Sequence, residues 1–163
     1  MEIRAATHAD AADIALLFNQ FIRNGTETFN SVEKSAQDIC DLIDEKKRSN
    51  HSVLVAYRGA QFLGFAYYAQ FRGGVGYART FEHTIYVDPA AAGHGVGRAL
   101  MNAIEKHAAQ AGGRTIYAGV SAENTPGIAF HKRLGYDHIW TLPKAGYKFG
   151  RYIDLVLMMK YLK

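Results

Sequence analysis

The chain has 163 residues, 48% of them hydrophobic and 21% charged, with a net charge of +4. That balance fits one globular domain with a core of its own and excludes a disordered or fibrous chain. The single cysteine, Cys40, excludes an intrachain disulfide framework and fits a reducing compartment.

No signal peptide opens the chain, and no apolar run approaches the roughly 18 residues needed to span a bilayer. A cytoplasmic protein with no membrane partner is therefore expected. The densest basic run, Lys46-Lys47-Arg48, sits where a helix should end and complements its dipole. It reads as a solvated helix terminus, so no nucleic-acid partner is expected; the excess positive charge weakly favours an anionic ligand.

Ile3-Arg4-Ala5 is a short first strand. Thr7, with Asp10 three residues on, starts a helix whose buried stripe is Ala11, Ile14, Ala15, Leu17, Phe18, Phe21 and Ile22, ended by Asn24-Gly25. Residues 26–30 form a loop, and Ser31 or Ser35 starts a second helix through Ile39, Leu42 and Ile43 to about Arg48. Ser52 to Tyr57 and Gln61 to Gln70 form a hairpin around Arg58-Gly59-Ala60. A flexible connection, Arg72 to Gly76, leads into a central strand from about Ala78 to Val87.

A third helix carries the apolar stripe Val96, Leu100, Ile104 and Ala108 to about Ala111. It is followed by a strand at Thr115 to Gly119, a loop from Ser121 to Pro126, and a helix from about Gly127 to Leu134. Two closing strands, Tyr136 to Thr141 and Tyr152 to Tyr161, are joined by a predicted loop from Leu142 to Arg151. The order β-α-α-β-β-β-α-β-α-β-β is an antiparallel meander leading into one βαβ crossover: an α+β fold around a mixed sheet.

The entry to the third helix, Asp88-Pro89 through Gly93-His94-Gly95-Val96-Gly97-Arg98, organises the rest. A glycine at a helical position costs roughly 1 kcal/mol relative to alanine, and two fall near the first turn. Close approach of an anion, a pyrophosphate above all, to the free N–H groups of the helix would explain them; ordinary loop glycines are the alternative. A Walker A loop is excluded because Arg98-Ala99, not Lys-Ser/Thr, follows the last glycine. A dinucleotide fingerprint is excluded because the next strand ends without an acidic residue.

This order and this glycine loop resemble the GNAT superfamily of acyl-CoA-dependent N-acetyltransferases. Three further stretches resemble its phosphinothricin and methionine-sulfone/sulfoximine subgroup. They are Thr80-Phe81-Glu82-His83-Thr84-Ile85-Tyr86-Val87, then Asn124 with Phe130-His131-Lys132-Arg133-Leu134-Gly135-Tyr136, and Gly146-Tyr147-Lys148-Phe149-Gly150-Arg151-Tyr152-Ile153-Asp154. The resemblance spans the chain and implies a single N-acetyltransferase domain, residues 1–163. Its sheet should have about seven, mainly antiparallel strands flanked by about four helices. Acetyl-CoA is the implied cosubstrate, with no metal, and a homodimer is implied as the assembly.

By the same resemblance the pyrophosphate of coenzyme A lies on Gly93, His94, Gly95, Val96, Gly97 and Arg98. Its pantetheine arm pairs with Ile85, Tyr86 and Val87 like an added strand. Asn124 contacts the pantetheine or phosphate region, and Arg133 belongs to the corresponding helix. Ala92 stands where the superfamily usually has Gln or Arg, which removes one side-chain contact and leaves the backbone cradle.

Acetyl transfer to an amine needs the ammonium deprotonated and the thioester oxygen stabilised. Glu82 matches the family's acidic residue and is a candidate base, with a structural carboxylate as the alternative. Strand alternation places Thr80, Glu82, Thr84 and Tyr86 on one face and Phe81, His83, Ile85 and Val87 on the other. A backbone N–H near Val87 is the candidate oxyanion donor. His131 stands where many relatives have a tyrosine thought to protonate the thiolate, and it can equally serve packing. Cys40 lies outside every motif, so direct attack in a ternary complex is expected.

On the acceptor side, Ala78 replaces an arginine common in the subgroup. Arg72 is a candidate carboxylate fork or a plain surface residue, and Tyr77 and Phe29 are candidate pocket aromatics or ordinary packing. The expectation is transfer to a small primary amine, with a methionine-sulfone-like or phosphinothricin-like amino acid as the lead. Rival readings are an acyl-CoA sensor or scaffold without turnover, and a peptide or protein acetyltransferase. The latter would need an open groove where residues 142–151 are expected to close that side.

Overall fold

A computed structural model describes the whole chain, Met1–Lys163. One seven-stranded sheet runs in the order β1-β2-β3-β4-β5-β7-β6. Its strands are β1 (Glu2–Ala5), β2 (Val53–Arg58), β3 (Gln61–Gln70), β4 (Thr80–Val87), β5 (Thr115–Ser121), β6 (Asp137–Lys148) and β7 (Arg151–Tyr161). Only β4 and β5 pair in parallel, joined by the helical crossover that a parallel pair requires.

The helices α1 (Ala11–Asn24) and α2 (Ala36–Arg48) cover one face, and α3 (Val96–Gln110) and α4 (Thr125–Arg133) the other. Alternation along the strands sorts the core in two. Val53, Val55, Phe65 and Tyr86 pack under α1 and α2 with Ile14, Phe18 and Ile39. Leu54, Ala56, Phe81 and Ile116 pack under α3 with Leu100, Met101 and Ile104. On β4, Glu82 and Tyr86 therefore share one face and His83 the other, as alternation requires.

Helix entries follow the side chains. Ser35, not Ser31, caps α2: its hydroxyl accepts from the Asp38 N–H at 3.1 Å, while its own N–H donates to the Asp38 carboxylate at 2.7 Å. The Thr7 N–H and hydroxyl donate to Asp10, which also receives Arg4 at 2.7 and 2.8 Å and Tyr57 at 3.0 Å. That hub ties β1 and β2 to the start of α1.

The stretch from Leu142 to Arg151, expected as a loop, is instead almost wholly strand. A bulge between Leu142 and Gly146 absorbs Pro143. There Lys144 takes φ 55° and its N–H donates to Asp154 at 2.8 Å. Gly146, Tyr147 and Lys148 then pair with Ile153, Tyr152 and Arg151. Phe149 and Gly150, at φ 52° and 75°, close a two-residue hairpin of the kind that needs positive φ at both positions.

Candidate active site

Thr80 to His83 of β4 pair with Thr115 to Ala118 of β5, and the pairing stops there. Thr84 to Val87 remain bonded to β3, and Gly119 to Ser121 remain bonded to β7. The facing edges between them carry unpaired backbone N–H and C=O groups, which an extended polyamide chain can satisfy. This gap is the centre of a cleft of about 650 Å³ that opens at one end on the glycine loop and at the other on residues 27–29.

The glycine loop owes its form to two different constraints. Gly93 and Gly95 take φ 79° and 80°, and Gly95 is the residue from which α3 starts. A Cβ on either would meet nothing within 4 Å, so their outer surface is open. Gly97 is helical, and its lack of a side chain has a packing cause: a Cβ there would lie 3.1 Å from the Phe130 ring. Gly93, Gly95, Val96, Gly97 and Arg98 line the cleft. His94 does not: its Nδ1–H donates to the Ala92 carbonyl at 2.9 Å on the exposed side of the loop.

Ile85, Tyr86 and Val87 also line the cleft, as do Asn124 and Arg133. Asn124 is the cap of α4, its Oδ1 accepting from the Gly127 N–H at 2.9 Å, which leaves its amide N–H groups as donors. Tyr86 is buried among Phe18, Phe21 and Phe65, with ring centroids 4.9, 4.9 and 5.6 Å away.

Glu82 projects into the cleft where β4 and β5 part, and its carboxylate rests against Gly119: a Cβ there would lie 2.9 Å from Oε1. No protein group donates a hydrogen bond to it, and burial alone pushes its carboxyl above the ordinary range. Across the strand, His83 and His131 stack with centroids 5.1 Å apart, and Tyr136 stands edge-on to both. The His131 Nδ1–H donates to the Gly127 carbonyl at 2.7 Å, and Nε2 is buried without a protein partner. That bond fixes the tautomer with the lone pair on Nε2. Burial holds His131 below its ordinary value, and burial together with His131 holds His83 well below it, so both rings are neutral.

Of the three acceptor-side candidates, only Phe29 lines the cleft. Arg72 lies in a separate groove with Glu45, His51 and Gln70, and Tyr77 is exposed on the 3-10 turn Val75–Tyr77. Two residues that sequence reasoning left unassigned stand out instead. Glu27 lines the acceptor end. Lys148, buried, donates from Nζ to the carbonyls of Gly25 at 2.6 Å, Thr28 at 2.8 Å and Phe21 at 3.4 Å. It fastens the loop after α1 to the β6–β7 hairpin, where the Phe29 ring covers Gly146 so closely that a Cβ there would clash at 2.3 Å.

The sequence profile of the Acetyltransferase (GNAT) family matches residues 17–136. The L-methionine sulfoximine/L-methionine sulfone acetyltransferase of Salmonella typhimurium is 30% identical over 162 residues, 99% of this chain and 95% of its own. The phosphinothricin N-acetyltransferase of Alcaligenes faecalis is 30% identical over 161 residues, 98% of this chain and 82% of its own. The Salmonella typhimurium protein yncA, solved with its cofactor acetyl-CoA, superposes with a TM-score of 0.96 at 29% identity, covering 100% of this chain and 94% of that one. A parted pair of parallel strands, a glycine-entry helix and relatives of matching length lead to one conclusion: the chain belongs to the GNAT family and is an acyl-CoA-dependent N-acetyltransferase.

Proposed function

We propose that Glu82 is the general base for acetyl transfer to a small primary amine held at the residue 27–29 end of the cleft. The observation that carries this is the Glu82 carboxylate itself: it is half-buried, unpaired, and aimed into the gap between β4 and β5. A raised carboxyl pKa brings it nearer the operating pH, where a base is most effective. The unpaired edges of Thr84 to Val87 and Gly119 to Ser121 fit the amides of a pantetheine arm, with Ile85, Tyr86 and Val87 as its partners. The N-terminus of α3, from Gly93 to Arg98, fits a pyrophosphate. The Asn124 amide and Arg133 add donors along the same wall.

Bound there, acetyl-CoA supplies the activated acetyl group. Glu82, directly or through water, takes the proton that leaves the ammonium nitrogen. A backbone N–H near Val87 stabilises the oxyanion as the new C–N bond forms and the C–S bond breaks. His131, its Nδ1–H committed to the Gly127 carbonyl and the lone pair on Nε2, braces the cleft wall rather than giving up a proton. The nitrogen's second proton, lost as the amide forms, goes to the departing thiolate, which can leave ahead of it because an ordinary thiol has a pKa of about 8.5.

The acceptor is of amino-acid size, in keeping with relatives named for methionine sulfoximine, methionine sulfone and phosphinothricin. Residues 1–163 form a single domain, working in the cytoplasm without a metal and as a homodimer. Support for the dimer lies in β6, a 12-residue edge strand whose Ile139, Trp140, Leu142 and Tyr147 are exposed, a surface that invites pairing. No helix is long and apolar enough to cross a membrane. Thiol release from acetyl-CoA, measured across a panel of primary amines that includes the three amino-acid analogues, tests the function. Turnover of at least one amine is expected; tight coenzyme A binding with no turnover on any would favour a sensing module.

A further inference from the structure

The charges lining the cleft are segregated by end. Arg98 lies in the first turn of α3, and Arg133 follows Phe130, whose ring lies 3.1 Å from the Cβ position of Gly97. Arg98 therefore stands at the glycine loop, and Arg133 ends α4, the helix that packs Phe130 against that loop. The opposite end, walled by Phe21, Thr28, Phe29 and Tyr86, carries only carboxylates, Glu27 and Glu82. The one basic group that reaches this end is Lys148, and an ammonium has three N–H donors. All three are taken by the carbonyls of Phe21, Gly25 and Thr28, so none remains for a ligand. Ala78 offers no guanidinium, and Arg72 faces a different groove.

We infer that the acceptor end of this cleft rejects a free carboxylate beside the reacting amine, so that the preferred substrates are carboxylate-free primary amines rather than α-amino acids. An ammonium entering between Glu27 and Glu82, beside the half-buried Phe21 and Phe29, gains charge pairing. An α-carboxylate brought in with it is desolvated beside Glu27 and Glu82, and the Lys148 charge, already set against Glu27, has no N–H left to hold it. The inference deepens the proposed function and rests on the reading of the Glu82 end as the acceptor site.

The test is a matched series in the thiol-release assay on the full chain: L-methionine sulfone, its carboxamide, and 3-(methylsulfonyl)propylamine, which is the same molecule without the carboxylate. The propylamine is a stronger base than the carboxamide, so a preference for it does not come from a larger unprotonated fraction. Its kcat/KM is expected to exceed that of the free acid by tenfold or more, with the carboxamide also above the acid. Glu27→Gln should lower kcat/KM for the propylamine and raise the acid-to-propylamine ratio of kcat/KM several-fold. Equal kcat/KM for acid and propylamine, or a preference for the acid, overturns the inference while leaving the acetyltransferase reading intact. An unchanged acid-to-amine ratio in Glu27→Gln overturns the part assigned to Glu27. Silence across this series and across the wider amine panel would instead overturn the proposed function and this inference with it. Should other side chains from the panel turn over better, the same acid, amide and decarboxylated triplet is built on them, with the same two outcomes.

Discussion

Gly119→Ala separates the chemistry of the cleft from its fold. A Cβ at Gly119 would lie 2.9 Å from the Glu82 carboxylate, but 3.5 and 3.7 Å from the Leu155 methyls, which is ordinary contact. The only group obliged to yield is the carboxylate, by about 0.5 Å to reach normal separation, and Glu82 has the side-chain freedom to do so. A misplacement of about 1 Å at a reacting centre can cost about 100-fold. Half that distance predicts a fall in kcat of roughly tenfold, or about 1.4 kcal/mol. Stability should move the other way or not at all, since replacing glycine in a strand where no special φ is needed gains about 0.5–1 kcal/mol. Thiol-release kinetics, calorimetric binding of coenzyme A and thermal unfolding give the three readouts. The account predicts a reduced kcat, an unchanged coenzyme A Kd and an unchanged or higher Tm. An unchanged kcat would refute the placement of Glu82 as a base that must stand where it does. A Tm lowered by more than about 5 °C, corresponding to 1–2 kcal/mol at this chain length, would refute the claim that Gly119 serves the site and not the packing.

Three other outcomes follow from the same geometry. Gly95→Ala puts a Cβ at φ 80° and over the open surface of the loop; it should cost about 1–2 kcal/mol in stability and weaken coenzyme A binding at least tenfold in calorimetry. Lys148→Met leaves the carbonyls of Phe21, Gly25 and Thr28 without their donor. It should cost about 2 kcal/mol, a Tm loss of roughly 4–8 °C, and raise KM for the amine while coenzyme A affinity holds. His51, His83, His107 and His131 are all held below their ordinary value by burial. The unfolded chain therefore binds more protons as acidity increases, so stability is full above about pH 6.5 and declines below it. Thermal unfolding between pH 8 and pH 5 should show the decline, and His83→Gln should make it shallower.

Local patterns gave a faithful outline where chemistry is local. The stripe through Val96, Leu100 and Ile104 located α3, and strand alternation placed Glu82 and His83 on opposite faces of β4. The glycine loop announced a helix N-terminus, although Gly93 and Gly95 owe their identity to φ while Gly97 answers to Phe130. What stayed hidden depends on contacts distant in the chain. Pro143 through Gly146 has the composition of a loop, and only the bulge on Asp154 shows how a strand absorbs it. Phe149-Gly150 closes a hairpin usually signalled by Asn-Gly. Lys148 sits at least 120 positions from the carbonyls that it joins, so nothing in its own neighbourhood marked it as buried. Arg72 shows the converse: a matching residue in a matching motif fell into another groove, beside Glu45, His51 and Gln70, because which groove a loop side chain enters is set by contacts its own motif does not record.

The most direct test of the central claim is kcat/KM against pH for the chain and for Glu82→Gln, with the best amine from the panel. The account predicts a fall of about 100-fold or more in the variant with coenzyme A binding intact. It also predicts an acidic limb in the parent profile, set by a carboxyl raised above the ordinary range by burial, that is absent from the variant. A variant that keeps its activity and the same acidic limb would contradict Glu82 as the base and return the mechanism to an unassisted attack.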